Sequence, residues 1–244
     1  TAIFDEAHRT TGSNVGVRNM ALDDINIPIK RRIFMTATPR VYAPYISEKA
    51  KEKDIVLNSM DDHAVYGKPF YEMTFGKAIK ENLITDYKVI IICITDYEVR
   101  KIVQQDKKII IDDIYEGNIK ILAKQIAIIK AISAYGLKKI FTFHTRVSNA
   151  KSFTSIDSSY GIKQVVKMIN PAFGKGEEIK LFHINGTMSS GIRNNIMKDF
   201  ENSEIGIMSN ARCLIEGVNV PIVDTVAFID SKKSIIDIIQ ATGR

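Results

Sequence analysis

Two adjacent carboxylates, Asp5 and Glu6, follow the apolar run Ala2-Ile3-Phe4, and His8 stands two residues further on. Such a run reads as a buried strand, and open α/β sheets place their chemistry at the carboxyl ends of strands. One acid there can hold a Mg²⁺ ion, directly or through its waters. The next can orient and deprotonate a water for attack on a phosphate. A four-residue match of this kind also describes an ordinary solvated strand end, so its weight comes from the motifs that follow in order.

Thr36-Ala37-Thr38-Pro39 follows a second apolar strand at 33–35. Its two hydroxyls can bond to the acids and histidine of a neighbouring strand end; the alternative is a hydroxyl-rich turn closed by proline. Phe141-Thr142-Phe143-His144-Thr145-Arg146 is a third strand-to-loop transition, and its hydroxyls and Arg146 suit phosphate contacts. His144 reads equally well as a satisfied histidine of the core or rim. A fourth strand runs into Ser209, Asn210 and Arg212 and then a Gly/Asn/Pro turn, where Gly217 permits close backbone approach. Last comes Gln240-Ala241-Thr242-Gly243-Arg244. An arginine beside glycine after a short helix can reach a γ-phosphate across an interface. His8, His63, His144 and His183 show no ligand spacing such as i, i+4 on a helix, which argues against a metal-dependent hydrolase.

The elements that must position these residues alternate between strand and helix, the pattern of a parallel sheet. Strands are expected at 2–4, 33–35, 89–94, 140–143, 181–184, 205–208 and 226–229. Most are short and rich in Ile, Val or Phe, as buried parallel strands are. Ile119, Leu122, Ile126, Ile129 and Ile132 recur at helical spacing, which predicts a helix over 119–135 closed by Gly136. Ser189 or Ser190 caps another running to about 200, and Ser234 opens a short one closed by Gly243. Residues 47–87 are mixed, with 60–63 and 66–69 reading as loop. Residues 96–118 read as a surface excursion.

The chain has 244 residues, 45% hydrophobic and 25% charged, which suits a soluble globular protein of one or two domains. A net charge of +6 fits nucleic acid as a partner and also fits a lysine-rich solvated surface. Cys93 and Cys213 match no zinc or disulfide pattern, in keeping with a reducing, cytoplasmic setting. The longest unbroken apolar run, 89–94, is far too short to span a bilayer, and no signal peptide is visible.

Taken in order, the motifs resemble those of the superfamily 2 DEAD/DEAH-box helicases and translocases, over essentially the whole chain. Asp5-Glu6-Ala7-His8 matches motif II, Thr36–Thr38 motif III, the Phe143 region motif IV, Glu216–Pro221 motif V, and Gln240–Arg244 the start of motif VI. Ser59-Met60-Asp61-Asp62, Tyr66-Gly67, Phe75-Gly76-Lys77-Ala78-Ile79 and Leu83-Ile84-Thr85-Asp86-Tyr87-Lys88-Val89 further resemble the helicase part of type I-like and single-polypeptide restriction–modification enzymes. The resemblance implies tandem RecA-like P-loop NTPase domains of α/β class, with parallel sheets, an incomplete first domain and ATP in the cleft between them. It implies that Asp5 binds Mg²⁺, that Glu6 activates water, and that His8, Thr36 and Thr38 couple hydrolysis to movement. Glu216, Gly217 and Asn219 would meet nucleotide, with Asn219 standing where aspartate is common. Gln240 and Arg244 would face ATP from the second domain, and Thr145, Arg146, Asn210 and Arg212 would contact nucleic acid. The implied partners are double- or single-stranded DNA, with nuclease and methyltransferase modules in the same parent chain.

No G-x-x-x-x-G-K-[ST] phosphate loop occurs in the 244 residues. The expectation is therefore a fragment: 1–75 as the C-terminal part of a first domain, 76–87 as linker, and 88–244 as a second domain cut within motif VI. Such a fragment would be inactive alone. The alternative is a non-hydrolytic nucleic-acid-binding module with a degenerate helicase fold.

Overall fold

The computed structural model describes residues 1–13, 17–105, 116–155, 162, 179–211, 222–231 and 238. The chain divides into two units, Thr1–Asp86 and Tyr87–Arg244.

In the first unit β1 (Ala2–Phe4) pairs in parallel with β3 (Arg32–Phe34), with Ile3 opposite Ile33. The strand expected at 33–35 thus sits one residue earlier. Its ladder still runs on, because Met35 N–H donates to Phe4 O at 2.9 Å and Ala7 N–H to Met35 O at 2.9 Å. Phe4 stacks on Phe34, with centroids 5.0 Å apart. A small antiparallel pair joins β2 (Gly12–Ser13) to β4 (Leu57–Asn58).

Three short helices stand in and beside the stretch 47–87 read as mixed: α1 (Pro44–Lys51), α2 (His63–Tyr66) and α3 (Phe75–Lys80). The second takes one residue from each of the expected loops at 60–63 and 66–69. The last occupies much of the expected 76–87 linker. Two have caps that explain them. Asp62 accepts from Ala64 N–H at the start of α2, and Thr74 accepts from Lys77 N–H at the start of α3.

The second unit is built on a four-stranded parallel sheet in the order β6-β7-β5-β8, from β5 (Lys139–Phe143), β6 (Ile179–Asn185), β7 (Ile205–Ala211) and β8 (Thr225–Phe228). Alternation along the strands feeds two cores. Ile140, Ile205 and Ile207 join Leu122, Ile126, Ile129 and Ile132 of α5 (Glu116–Tyr135) in one. Phe141, Phe143 and Met208 join Phe200 of α7 (Ser190–Glu201) in the other. Each such aliphatic or aromatic side chain, fully buried, contributes about 1.5–3 kcal/mol of transfer free energy. Gly136 closes α5 at φ 63°, its N–H bonded to Ile132 O at 2.9 Å. Ser189 caps α7 by accepting from Ile192 N–H. This is the expected α/β class with a parallel sheet.

Two expectations for this unit are corrected. Residues 89–94 form no strand, and Val89 and Ile91 are 78% and 85% exposed. An apolar run becomes a strand only where a neighbour offers ladder bonds, and among the described residues only Ile94 reaches the core. The excursion expected at 96–118 begins instead as α4 (Asp96–Gln105), with Val99 buried and Ile102 packed against the same core. Residues 106–115 lie outside the described residues. No described helix is long and apolar enough to cross a membrane.

Candidate nucleotide site and strand-end interface

β1 ends at Phe4, and the acid pair forms the turn that leaves it. Asp5 Oδ1 accepts from Glu6 N–H at 2.9 Å. Glu6 is left-handed, at φ 49° and ψ 45°, a conformation few non-glycine residues adopt. That turn throws the chain into the single 3₁₀ turn Ala7–Thr10, which buries His8 against the end of β3.

The structure brings Glu6, His8, Thr36 and Thr38 together. His8 Nδ1 lies 3.0 Å from Thr36 Oγ1 and 3.3 Å from Glu6 Oε2. Thr36 Oγ1 also accepts from Thr38 N–H at 3.1 Å. One imidazole nitrogen therefore touches both the acid of the first strand end and the hydroxyl of the second. Thr38 is buried, and its own hydroxyl has no hydrogen-bond partner among the described residues. A buried unsatisfied hydroxyl costs about 1–3 kcal/mol, so this one marks a place where a partner would be favourable.

Asp5 stays exposed at the mouth of the turn. No group of three or more His, Cys, Asp or Glu capable of holding a metal occurs among the described residues. Mg²⁺ does not need such a group, since it is commonly held by one or two carboxylates, waters and substrate phosphates. An exposed hard-oxygen donor such as Asp5 fits that requirement.

In the second unit the candidate residues crowd the carboxyl ends of β5 and β7. Thr145 N–H and Oγ1 both donate to Asp230 Oδ2, at 2.9 and 3.0 Å. Lys124 Nζ, from α5, lies 2.8 Å from the other oxygen of the same carboxylate. Burial alone would raise the Asp230 pKa; the Lys124 ammonium and the two Thr145 donors outweigh it and hold the carboxyl at about 2. Arg146 is exposed and precedes α6 (Val147–Thr154) as its N-cap residue, without a side-chain cap bond.

Asn210 corrects its assignment to nucleic acid. It is fully buried rather than exposed to a polymer backbone, and its amide donates to Thr142 O at 3.1 Å, which ties β7 to β5; its Oδ1 has no hydrogen-bond partner among the described residues. His144 is also buried, its Nε2 3.0 Å from Thr142 Oγ1 and its ring against Phe153. Arg212, Glu216, Gly217, Asn219, Gln240 and Arg244 lie outside the described residues, as does the short helix expected from Ser234.

Sequence reasoning missed Asp230, although Ala227-Phe228-Ile229-Asp230 carries the signal that revealed Asp5, an acid after a short apolar strand. It also missed the hydrogen-bonded set of Ser209, Thr154 and His183, in which Ser209 Oγ lies 2.8 Å from Thr154 Oγ1 and 3.0 Å from His183 Nδ1. Burial, with a lesser push from the Lys151 charge, lowers the His183 pKa and favours its neutral ring.

The family profile of the helicase conserved C-terminal domain matches residues 123–244. Among solved structures the chain is similar to the Hef helicase domain of Pyrococcus furiosus, at 15% sequence identity and a TM-score of 0.38, over 99% of this chain and 67% of that one. No curated protein matches it. The second unit is accordingly a RecA-like α/β domain, and the chain belongs to the helicase conserved C-terminal domain family.

Proposed function

We propose that the chain is part of an ATP-dependent DNA helicase or translocase, working within a restriction–modification or related DNA-processing enzyme. The observation that carries this reading is the contact of one buried imidazole, His8, with both Glu6 and Thr36. An acid alone at a strand end could be incidental. An acid linked through a histidine to a second strand end has the form of a catalytic group wired to a reporter.

Glu6 would orient water for in-line attack on the γ-phosphate and accept its proton. Asp5 would hold Mg²⁺, which when bound neutralises charge on the phosphate oxygens. His8 would sense the charge on Glu6 and pass the change to Thr36 and Thr38. Glu216, Gly217, Asn219, Gln240 and Arg244 would serve nucleotide from the second unit, and Arg146 and Arg212 would meet the DNA backbone. The glycine-rich phosphate cradle is not among these 244 residues, so the chain alone should turn over little ATP.

The test is a double-mutant cycle on DNA-stimulated ATP turnover in the intact protein that carries this chain. His8→Ala, Thr36→Val and the double variant should show a coupling energy of at least about 1 kcal/mol, as contacting residues do. Independent, additive losses would overturn the wiring.

A further inference from the structure

Tyr66 stands in a segment that the reading above leaves without a role, 59–67. We infer that this segment is a clasp for the strand-end site and that Tyr66 is a positioning residue for Glu6 and His8. The inference rests on the proposed function of those two residues.

The clasp is built from both directions. Ser59 Oγ accepts from Tyr42 N–H, and Met60 N–H donates to Arg40 O at 3.1 Å, which fastens it to the chain just beyond Thr38-Pro39. Asp62 then caps α2, and Tyr66 N–H donates to Asp62 O at 2.9 Å. Gly67 leaves the helix at φ 73°, a turn that a side chain would strain. This stiff single turn aims the Tyr66 ring at Phe34, with centroids 4.9 Å apart, and its hydroxyl at Thr10.

Counting protons fixes the direction of the hydroxyl contacts. The Thr10 hydroxyl donates its only proton to Ala7 O at 2.8 Å. The Tyr66 hydroxyl must then be the donor, shared between Thr10 O and Thr10 Oγ1, each 3.1 Å away. Tyr66 therefore holds the far end of the Ala7–Thr10 turn while its ring braces the strand that leads to Thr36. Its side chain touches both the turn carrying His8 and the strand that leads to Thr36 without belonging to either. Loss of the hydroxyl would free the turn and let the His8 imidazole drift from Thr36, and displacements of that order cost up to about a hundredfold in rate.

The experiment compares Tyr66→Phe with wild type in the intact protein. Phenylalanine keeps the ring against Phe34, so the fold should survive. Two readouts are taken: the ¹⁵N signals of the His8 ring by NMR, and kcat and KM for DNA-stimulated ATP turnover. The inference expects shifted His8 ring signals, a fall in kcat of about tenfold or more, and a KM for ATP within about twofold. Thr10→Val, which removes the hydroxyl beneath Tyr66, should give the same His8 shift. The double variant should add nothing to either single one. Unchanged His8 signals in Tyr66→Phe would overturn the inference whatever the enzyme assay shows. Shifted His8 signals in Tyr66→Phe, together with a wild type that hydrolyses no ATP, would keep the clasp and instead refute the proposed function.

Discussion

At the residue scale, proximity decides which groups act. His8 lies within 3.3 Å of both Glu6 and Thr36, whereas Asn210, at the same kind of strand end, faces inward and joins two strands. The difference follows from position along the strand and in the sheet. β7 is a central strand buried on both faces along its whole length, so Asn210 is enclosed whichever way it points, while Asp5 and Glu6 lie past the last residue of β1. A buried charge makes a second residue-scale case. Lys139 Nζ reaches Phe200 O at 2.8 Å and Glu201 O at 3.1 Å, and also Ser203 O and Oγ, which closes the C-terminus of α7. Burial lowers its pKa, but four oxygen acceptors and a favourable helix end keep an ammonium useful there. Lys139→Met should remove this donor from the Glu201 and Ser203 carbonyls, while Phe200 O keeps the Ser203 N–H and hydroxyl, and cost about 1–3 kcal/mol, read as a lower urea midpoint at unchanged slope.

At the element scale, legibility followed periodicity. The 119–135 helix and the parallel strands of the second unit were readable because their apolar spacing matches what they bury. What periodicity could not supply was a partner. Residues 89–94 have the composition of a buried strand but no ladder neighbour among the described residues, so all but Ile94 stay exposed. Short helices were missed for the opposite reason, being too brief to show a period. Their caps were readable: α4 has a capping box in which Thr95 N–H donates to Glu98 Oε2 and Glu98 N–H donates to Thr95 Oγ1. In the candidate site, residue types, order and a bond from the Thr36 or Thr38 hydroxyl to the histidine were legible as an expectation; which hydroxyl, and the 3.0 Å that joins His8 to Thr36, were not, because sequence does not state distances across 28 positions.

Two predictions belong to elements. Gly206 lies where β7 passes α7, and an added Cβ would stand 2.8 and 2.9 Å from the Phe200 ring and 2.6 Å from Ser203 Oγ. A ring in a packed core cannot yield, so Gly206→Ala should destabilise by about 1–3 kcal/mol in chemical denaturation. Asp230 joins α5, the β5–α6 loop and the end of β8. Its pKa is depressed to about 2 in the fold from an ordinary 3.8. Its contribution is therefore complete above about pH 4 and is lost as pH falls toward 2. Asp230→Asn should flatten acid unfolding in that window, as followed by circular dichroism; an unaltered acid limb would contradict the clamp.

At the scale of the whole molecule, charge is unevenly shared. Residues 1–86 carry equal numbers of acidic and basic side chains, so the entire excess of +6 belongs to residues 87–244. If that excess meets DNA phosphates, binding measured by fluorescence anisotropy should weaken linearly in log Kd against log salt, with little dependence on base sequence. A salt-independent affinity would place the partner elsewhere. The passage between the units should also be where proteases act first. Leu83, Tyr87, Val89 and Ile91 are all more than 60% exposed and lie outside regular elements. Brief chymotrypsin treatment should therefore cut near Leu83 or Tyr87 and leave a resistant C-terminal piece.

The acid pair after β1 is proposed to perform phosphoryl chemistry. Its most direct measurement is the DNA-stimulated rate of phosphate release by the intact protein carrying Glu6→Gln, which preserves shape and removes the base. The rate should fall at least about a hundredfold, within the usual contribution of a positioned general base, with ATP binding retained. Wild-type turnover by that variant would contradict that role.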